Sequence, residues 1–182
     1  RVALNLLQLA SAVATQTARA VAAAGTLAVL DTRKTPPLLR PLVRYAVRCG
    51  GGRNHRFNLT ERPMVKDNHK LLLGGDPGTV DFWRRVRRLL GNRAQDAIVE
   101  VETIGEMEAA IHAGFCHLLL DNFSPEEAKE AVRRARRLRS DLFLELSGGI
   151  TPENARDYAG VHFVSSSWAS RGWVDLSLEI LP

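Results

Sequence analysis

The sequence has few aromatic residues, few cysteines and no long apolar run, and each shortage excludes a class of protein. Phe, Trp and Tyr make up 6% of the 182 residues and no nucleic-acid motif occurs, so a nucleic-acid partner is not expected. The two cysteines, Cys49 and Cys116, lack metal-ligand spacing, which predicts reduced, structural thiols in a cytoplasmic protein. No apolar run approaches the roughly 18 residues of a membrane span, and no signal peptide opens the chain, so no membrane partner is expected.

Positive charge is abundant, and it is concentrated in one segment. The chain carries a net charge of +5 with a pI of about 9.8, which favours anionic partners. We call residues 31–70 the basic segment, because only Asp31, Glu61 and Asp67 oppose its cations. Its ten Lys and Arg residues are Arg33, Lys34, Arg40, Arg44, Arg48, Arg53, Arg56, Arg62, Lys66 and Lys70. Many of them follow short apolar runs or glycines, which is typical of a pocket for small anions.

The order of predicted elements indicates a parallel α/β fold. Strands are predicted at 26–30, 63–67, 97–101, 117–120, 142–146 and 161–164, with a seventh at 175–180. Helices are predicted at 2–24, 38–48, 82–90, 104–113, 124–138 and 151–160. Residues 70–78 are predicted to be a loop, and the arginines of 84–88 and 133–139 are predicted to lie on solvated helix faces. This alternation predicts a single domain, residues 1–182. It favours an incomplete (β/α) barrel of six or seven strands rather than an open doubly wound sheet.

Polar residues lie at or just after the carboxyl ends of six consecutive predicted strands. They are Arg33, Lys66, Glu100, Asp121, Ser147 and Ser165. In a barrel the carboxyl ends of the strands meet at one mouth, where active sites lie, so we expect these side chains to converge.

Two chemistries are expected at this mouth. Ser147, Gly148 and Gly149 stand between a strand and a helix start, which is the position of a phosphate-binding turn, with 165–167 as its partner loop. Glu100 and Asp121 could hold ribose hydroxyls or a Mg²⁺ that carries a diphosphate, or form structural ion pairs with cations of the basic segment. Glu102 could share the face of Glu100.

The motifs together resemble those of nicotinate-nucleotide pyrophosphorylases, also called decarboxylating quinolinate phosphoribosyltransferases. They are DTRKT at 31–35, YAVRCGG at 45–51, NHR at 54–56, KDNH at 66–69, VEVE at 99–102, LDN at 120–122 and SGG at 147–149. Their order and spacing cover nearly the whole chain. The resemblance implies an α/β-barrel enzyme of NAD biosynthesis. It would transfer phosphoribosyl from phosphoribosyl diphosphate to quinolinate and release nicotinate mononucleotide, diphosphate and CO₂.

The resemblance also implies site residues, a metal and a partner. Substrate would contact Arg1, Thr32, Arg33, Lys34, His55, Arg56, Lys66, Glu100, Asp121, Ser147, Gly148, Gly149, Ser167, Trp168 and Ala169. Of these, Lys34, Lys66, Glu100 and Asp121 would be catalytic. Glu100 and Asp121 would hold Mg²⁺, directly or indirectly. The expected assembly is a homodimer in which a second subunit completes the site.

The chain departs from the pattern of this family at several points. The family's N-terminal domain has no counterpart in residues 1–182, Pro36-Pro37-Leu38 replaces a usual Thr-Pro-Gly, and Ser167-Trp168 stands where Gly-Ala is usual. A second hypothesis is therefore a non-catalytic anion-binding or assembly subunit with the same barrel.

Overall fold

The computed structural model describes residues 1–177, and a parallel sheet of six short strands lies at its centre. The strands are β1 (Ala28–Leu30), β2 (Met64–Val65), β3 (Ile98–Val101), β4 (His117–Asp121), β5 (Phe143–Ser147) and β6 (Phe163–Ser165). Their order in the sheet is β1-β6-β5-β4-β3-β2, and every neighbouring pair is parallel. Each of the six predicted strands is thus present: the first three are shorter than predicted, β4 is one residue longer, and β5 and β6 begin and end later than predicted.

The sheet is a barrel that stays open between β1 and β2. Strands adjacent in sequence are adjacent in the sheet, and β6 returns to pair with β1, so only the β1–β2 step lacks a ladder in the part of the chain described. Arg53 extends the β1 edge: its N–H donates to Val29 at 2.8 Å and its carbonyl accepts from Asp31 at 3.0 Å. The prediction of an incomplete barrel is confirmed. Within the predicted seventh strand, residues 175–177 form no strand, and 178–180 lie outside the described residues.

Six helices surround the sheet. They are α1 (Val2–Ala24), α2 (Arg40–Cys49), α3 (Asp67–Leu73), α4 (Val80–Leu90), α5 (Ile104–His112) and α6 (Pro125–Leu138), with 3-10 turns at Gly91–Asp96 and Ala155–Tyr158. The capping box predicted at the start of α6 is present, because Ser124 and Glu127 bond each other's backbone. None of these helices has the length and apolarity needed to cross a membrane.

Two secondary-structure predictions were wrong, one of a loop and one of a helix. Part of the predicted loop 70–78 is the end of α3, which begins where the Lys66 N–H donates to His69 Nδ1 at 3.0 Å and which buries Lys70. The predicted helix at 151–160 is only a 3-10 turn. There the Asn154 side chain accepts from the Thr151 N–H at 2.8 Å and donates to the Gly149 carbonyl at 3.0 Å, which holds the segment as a turn.

The arginines of α4 are not simply solvated, as the sequence predicted. Arg87 donates to the carbonyls of Ala113 (3.1 Å) and Gly114 (2.7 Å), just beyond the end of α5. Arg85 bonds the carbonyls of Leu73 and Gly74 at the end of α3. Carbonyls at helix ends have no intrahelical donor, so these guanidiniums supply one.

The core lies between the outer face of the sheet and the helices. Val99, Leu118, Leu120, Leu144 and Leu146 point outward into it and are at most 2% exposed. Strand register then places Glu100, Leu119, Glu145 and Phe163 at one level of the opposite, inner face, since these residues pair across β3 to β6. The inner face therefore carries polar groups directly below the strand ends.

Both cysteines are free thiols. Cys116 is partly buried, but Cys49 is exposed at the end of α2, so the predicted structural role has no packing basis at Cys49.

Candidate functional site

A cavity of about 560 Å³ opens at the carboxyl ends of the strands. It collects five of the six residues expected at the mouth, namely Arg33, Lys66, Asp121, Ser147 and Ser165. The other residues with an expected substrate role that line it are Thr32, Lys34, His55, Arg56, Gly148, Gly149, Ser167 and Trp168. Arg1, Glu100 and Ala169 do not line it. The topology thus brings residues from positions 31 to 171 to a single site.

One wall of the cavity carries two guanidiniums without an ion pair. Arg56 donates to the Arg62 carbonyl at 3.0 Å and to Met64 Sδ at 3.5 Å. Burial, and secondarily the positive charge of Arg33, lowers the pKa of Arg56. Within residues 1–177 no carboxylate pairs with either Arg33 or Arg56. Two guanidiniums that line one cavity favour the binding of an anion there.

Lys66 lines the cavity from the end of β2, and its ammonium forms an ion pair with the carboxylate of Glu100. Glu100 is 2% exposed, forms an ion pair with Lys66 and accepts from the Asp67 N–H at 3.3 Å. Glu102 points elsewhere and pairs with Lys70 at 3.6 Å. Glu100 therefore acts on the cavity through Lys66, since its own oxygens are engaged within the protein.

The opposite wall is formed by Asp121 and the turn after β5. Ser147 Oγ donates to one oxygen of Asp121, and Asn122 Nδ2 donates to the other at 2.8 Å. Gly148 has φ +83°, and a Cβ there would lie 2.1 Å from Asn122 Oδ1. This close approach requires glycine, and it leaves the backbone of the turn uncovered for a phosphate.

The loop after β6 is held by its own serines. Ser166 Oγ donates to the Ile150 carbonyl at 2.8 Å and accepts from the Trp168 N–H at 3.2 Å. Trp168 lines the cavity and also packs against the main core, so its ring is accommodated beside the turn. Ala169 is buried, and its carbonyl accepts from Thr17 Oγ1 of α1 at 2.9 Å.

Arg1 lies away from this cavity. It is an exposed residue at the start of α1, and Thr17, sixteen positions later, is the α1 residue that contacts Ala169. At 1.5 Å per helical residue, Arg1 is roughly 24 Å along the helix from that contact.

The sequence analysis missed a buried carboxylate at the cavity floor. Glu145 of β5 is fully buried, and its Oε2 lies 3.2 Å from His55 Nε2 and 3.0 Å from His117 Nε2. Burial alone would raise the pKa of Glu145, but the two imidazole donors lower it to about 2. Desolvation lowers the pKa of His117. The signal was present, because a Glu between Leu144 and Leu146 faces the same side as Ser147.

Only part of the expected metal set fits Mg²⁺. Within residues 1–177 no group of three or more His, Cys, Asp or Glu side chains is arranged to hold a metal ion. Asp121 lines the cavity and suits a Mg²⁺ whose other ligands are phosphate oxygens and water. Glu100 does not fit as a direct ligand, because it does not line the cavity, is 2% exposed and is paired with Lys66.

Comparison with known proteins gives consistent relatives. Residues 13–179 match the family model described as "Quinolinate phosphoribosyl transferase, C-terminal domain". The nicotinate-nucleotide pyrophosphorylase [carboxylating] of Mycobacterium leprae is 41% identical over 88% of this chain and 55% of its own length. A protein of Archaeoglobus fulgidus named "Probable nicotinate-nucleotide pyrophosphorylase [carboxylating]" is 36% identical over 100% of this chain and 71% of its own length.

A solved structure shares the fold. The nicotinate-nucleotide pyrophosphorylase of Ehrlichia chaffeensis has a TM-score of 0.83 and 32% identity, covering 95% of this chain and 62% of that one. The chain therefore spans between about half and seven tenths of the length of these relatives. The match over residues 13–179 and these identities show that the chain belongs to the quinolinate phosphoribosyl transferase family, in which it corresponds to the C-terminal domain.

Proposed function

We propose that this chain carries the site at which phosphoribosyl is transferred from phosphoribosyl diphosphate to quinolinate, with loss of CO₂, to give nicotinate mononucleotide for NAD biosynthesis. The observation that carries the proposal is that one cavity is lined by both sets of groups. Arg33 and Arg56, two cations without a carboxylate partner in the described part of the chain, line it together with Asp121 and the Gly148 turn. A dianionic acid and a phosphorylated sugar need such complementary walls.

The geometry supports a division of labour between the walls. Arg33 and Arg56 bind the two carboxylates of quinolinate, because a guanidinium matches a carboxylate in two hydrogen bonds. Lys34 and Lys66 are compact charges for the diphosphate. Asp121 faces the ribose and stabilises the positive charge that develops on its anomeric carbon as diphosphate leaves. The backbone of 147–149 binds the 5′-phosphate.

The chemical steps then need little acid–base help. The bond from the anomeric carbon to diphosphate breaks as the ring nitrogen of quinolinate forms a bond to that carbon. The ring nitrogen becomes cationic, so it can accept the electron pair left when the adjacent carboxylate departs as CO₂. That ring carbon then takes up a proton. Lys34 and Lys66 neutralise the departing diphosphate.

We include Mg²⁺ in this proposal, carried by the diphosphate and held by Asp121. When bound, the ion would neutralise phosphate charge in the leaving group. Glu100 contributes by holding Lys66. Activity should fall on chelation with EDTA and return on addition of Mg²⁺.

We also propose a homodimer in which Arg1 serves the partner's cavity. Arg1 is roughly 24 Å along α1 from the loop of its own cavity. The same end of α1 exposes Val2 (75%), Leu6 (40%) and Leu7 (53%), which suits burial against a second copy. Sedimentation tests the dimer. Mixing inactive Arg1→Ala and Lys66→Ala proteins should restore activity in about a quarter of the sites. About half of the dimers then contain one subunit of each variant, and one of the two sites in each mixed dimer is intact.

The decisive test of activity uses Lys66→Ala and Arg33→Ala. Each should abolish formation of nicotinate mononucleotide while circular dichroism shows a folded protein, since both side chains line the cavity. Lys66→Ala should also lower the unfolding free energy, because it leaves the buried Glu100 without its ion pair. Arg48→Ala is the matched control, because Arg48 is an exposed cation of α2 outside this cavity, and it should leave the rate within about twofold.

Calorimetry with each substrate separates this proposal from the non-catalytic alternative. Binding of quinolinate and of phosphoribosyl diphosphate without product would support an anion-binding subunit. Failure of the unsubstituted protein to bind either substrate would refute the proposed site.

We also propose that the reaction takes place in the cytoplasm.

A further inference from the structure

The cavity floor contains a chain of three side chains whose function the proposed reaction does not explain. His117, Glu145 and His55 are linked by hydrogen bonds of 3.0 and 3.2 Å that meet at Glu145 Oε2. His55 Nε2 also lies 3.2 Å from Glu145 Oε1 and so contacts both carboxylate oxygens, but within residues 1–177 Oε1 has no partner with hydrogen-bond geometry. A buried carboxylate is expensive unless it is fully paired, so its presence here calls for a specific role.

The hydrogen bonds fix the protonation of the His55 ring. Its Nδ1 accepts from the Arg56 N–H at 2.8 Å, so Nδ1 carries no proton. The proton of a neutral ring must then lie on Nε2, where Glu145 accepts it. Both ring nitrogens are thus engaged within the protein. Neither ring nitrogen is then free for a substrate carboxylate, and the substrate contact that the resemblance implies for His55 stays a prediction.

The consequence of this arrangement falls on Arg56. Its backbone N–H is held by the His55 ring, while the His55 N–H donates to Asp31 Oδ1 at 2.6 Å and Asn54 Nδ2 donates to Asp31 Oδ2 at 2.7 Å. The segment 54–56 is therefore fixed from two sides by buried carboxylates. Within residues 1–177, the Arg56 guanidinium, which projects from this segment, is bound only by a carbonyl and a thioether.

We propose that Glu145, supported by His117, is a positioning residue for dicarboxylate binding: it holds His55 in the Nε2–H tautomer, and His55 in turn orients Arg56. This inference rests on the proposed function, because it takes quinolinate as the ligand of Arg56. His117 contributes a second donor, which keeps the buried carboxylate directed at the rings. The phosphoribosyl diphosphate subsite lies on other residues and should be insensitive to this chain.

The test compares Glu145→Leu with Glu145→Gln in the full-length protein. Leu has nearly the same size but no acceptor, so the His55 Nε2 proton loses its partner. Gln keeps one acceptor oxygen and should rescue. Leu144→Val is the control, because Leu144 is the buried neighbour on the same strand and faces the core instead. Two measurements are needed, the ¹⁵N shifts of the His55 ring and calorimetric titrations with quinolinate and with phosphoribosyl diphosphate.

We expect the unsubstituted protein, Leu144→Val and Glu145→Gln to show the Nε2–H tautomer. Glu145→Leu should shift His55 toward Nδ1–H and weaken quinolinate binding about tenfold, which corresponds to the loss of one hydrogen bond to a charged group. Binding of phosphoribosyl diphosphate should change less than about twofold. A selective loss of one ligand is not what general loosening of the barrel would produce.

Other outcomes separate the two proposals. If the unsubstituted protein binds no quinolinate, the proposed function fails, and the ring shifts alone still test the tautomer. If it binds quinolinate and Glu145→Leu binds it equally well, the positioning role is overturned. Equal weakening of both ligands also overturns it. Should Glu145→Leu not fold, His117→Leu against His117→Gln provides the same comparison one bond further away. There the expected loss of quinolinate affinity is about threefold, with rescue by Gln, and an unchanged affinity overturns the proposal.

Discussion

Substitution of Gly148 by Ala tests whether the phosphate turn depends on close approach to Asn122. The φ of +83° costs an L-residue about 1 kcal/mol. The new Cβ would lie 2.1 Å from Asn122 Oδ1 and 2.7 Å from its Cγ, so the Asn122 side chain must move. That movement breaks its 2.8 Å bond to Asp121, for a further loss of about 1 to 1.5 kcal/mol at this exposed position. The expected total is about 2 to 2.5 kcal/mol of unfolding free energy.

The next residue provides a matched control. Gly149 also has a positive φ, +62°, but a Cβ there would meet nothing within 4 Å. Gly149→Ala should therefore lose only the backbone term, about 1 kcal/mol. A second comparison places Gly148→Ala in an Asn122→Gly background. Asn122 itself has φ +57°, which glycine tolerates, and without the side chain the cost of Gly148→Ala should fall toward that of Gly149→Ala.

Urea unfolding of the four variants measures these differences. A coupling free energy of about 1 to 1.5 kcal/mol between positions 122 and 148 is expected. If Gly148→Ala costs the same in both backgrounds, or no more than Gly149→Ala, then contact with Asn122 does not explain the glycine. In that case the turn is constrained by its backbone alone.

Three further predictions concern buried charge. The pKa of Glu145 is about 2 against an ordinary 4.5, so its ionised form stabilises the fold fully above pH 4.5 and this stabilisation is lost as pH falls toward 2. Roughly 2 kcal/mol of unfolding free energy should be lost between pH 6 and pH 3. A ¹³C carboxyl titration with its midpoint near 4.5 would contradict this. Lys70→Met should cost about 2 kcal/mol in urea unfolding, because it strands the Glu106 carboxylate, 2.9 Å away and mostly buried, and no loss would argue against that pairing. Arg87→Leu should lower stability by about 1 to 2 kcal/mol and speed amide exchange at the end of α5, since the carbonyl of Gly114 loses its donor; unchanged exchange would be inconsistent.

Much of the fold was predictable because its signals are local. Apolar runs bounded by loops predicted all six strands, and Ser124-Pro125 predicted the start of α6. The errors lie where a tertiary contact decides the structure. Residues 70–73 have no helical pattern of their own, yet Lys70 is buried against Glu106. Arg87 has the sequence of a solvated position, but its long side chain reaches carbonyls 26 and 27 residues away.

The site was predictable to the extent that it depends on strand ends. A parallel barrel brings every strand end to one mouth, so position after a strand is enough to bring Arg33, Lys66, Asp121 and Ser147 into one cavity. Position cannot reveal which oxygens are already engaged. Glu100 and Asp121 both follow this rule, but one bonds Lys66 below the cavity and the other lines it. Nor can it place Arg1, because helix length separates that residue from the mouth.

The buried acids explain how so many cations coexist in one pocket. Arg33 and Arg56 repel each other, and burial increases the free energy of that repulsion. Buried carboxylates beneath the cavity offset this repulsion. Asp31 and Glu145 fix the segment that carries Arg56, and Glu100 fixes Lys66. Asp31 and Glu145 act on the backbone and ring next to Arg56, whereas Glu100 pairs with the Lys66 ammonium itself. Within residues 1–177 the guanidiniums of Arg33 and Arg56 keep no ionic partner. An anionic substrate then gains the full attraction of the pair without first breaking an ion pair, which is the advantage of a preorganised site.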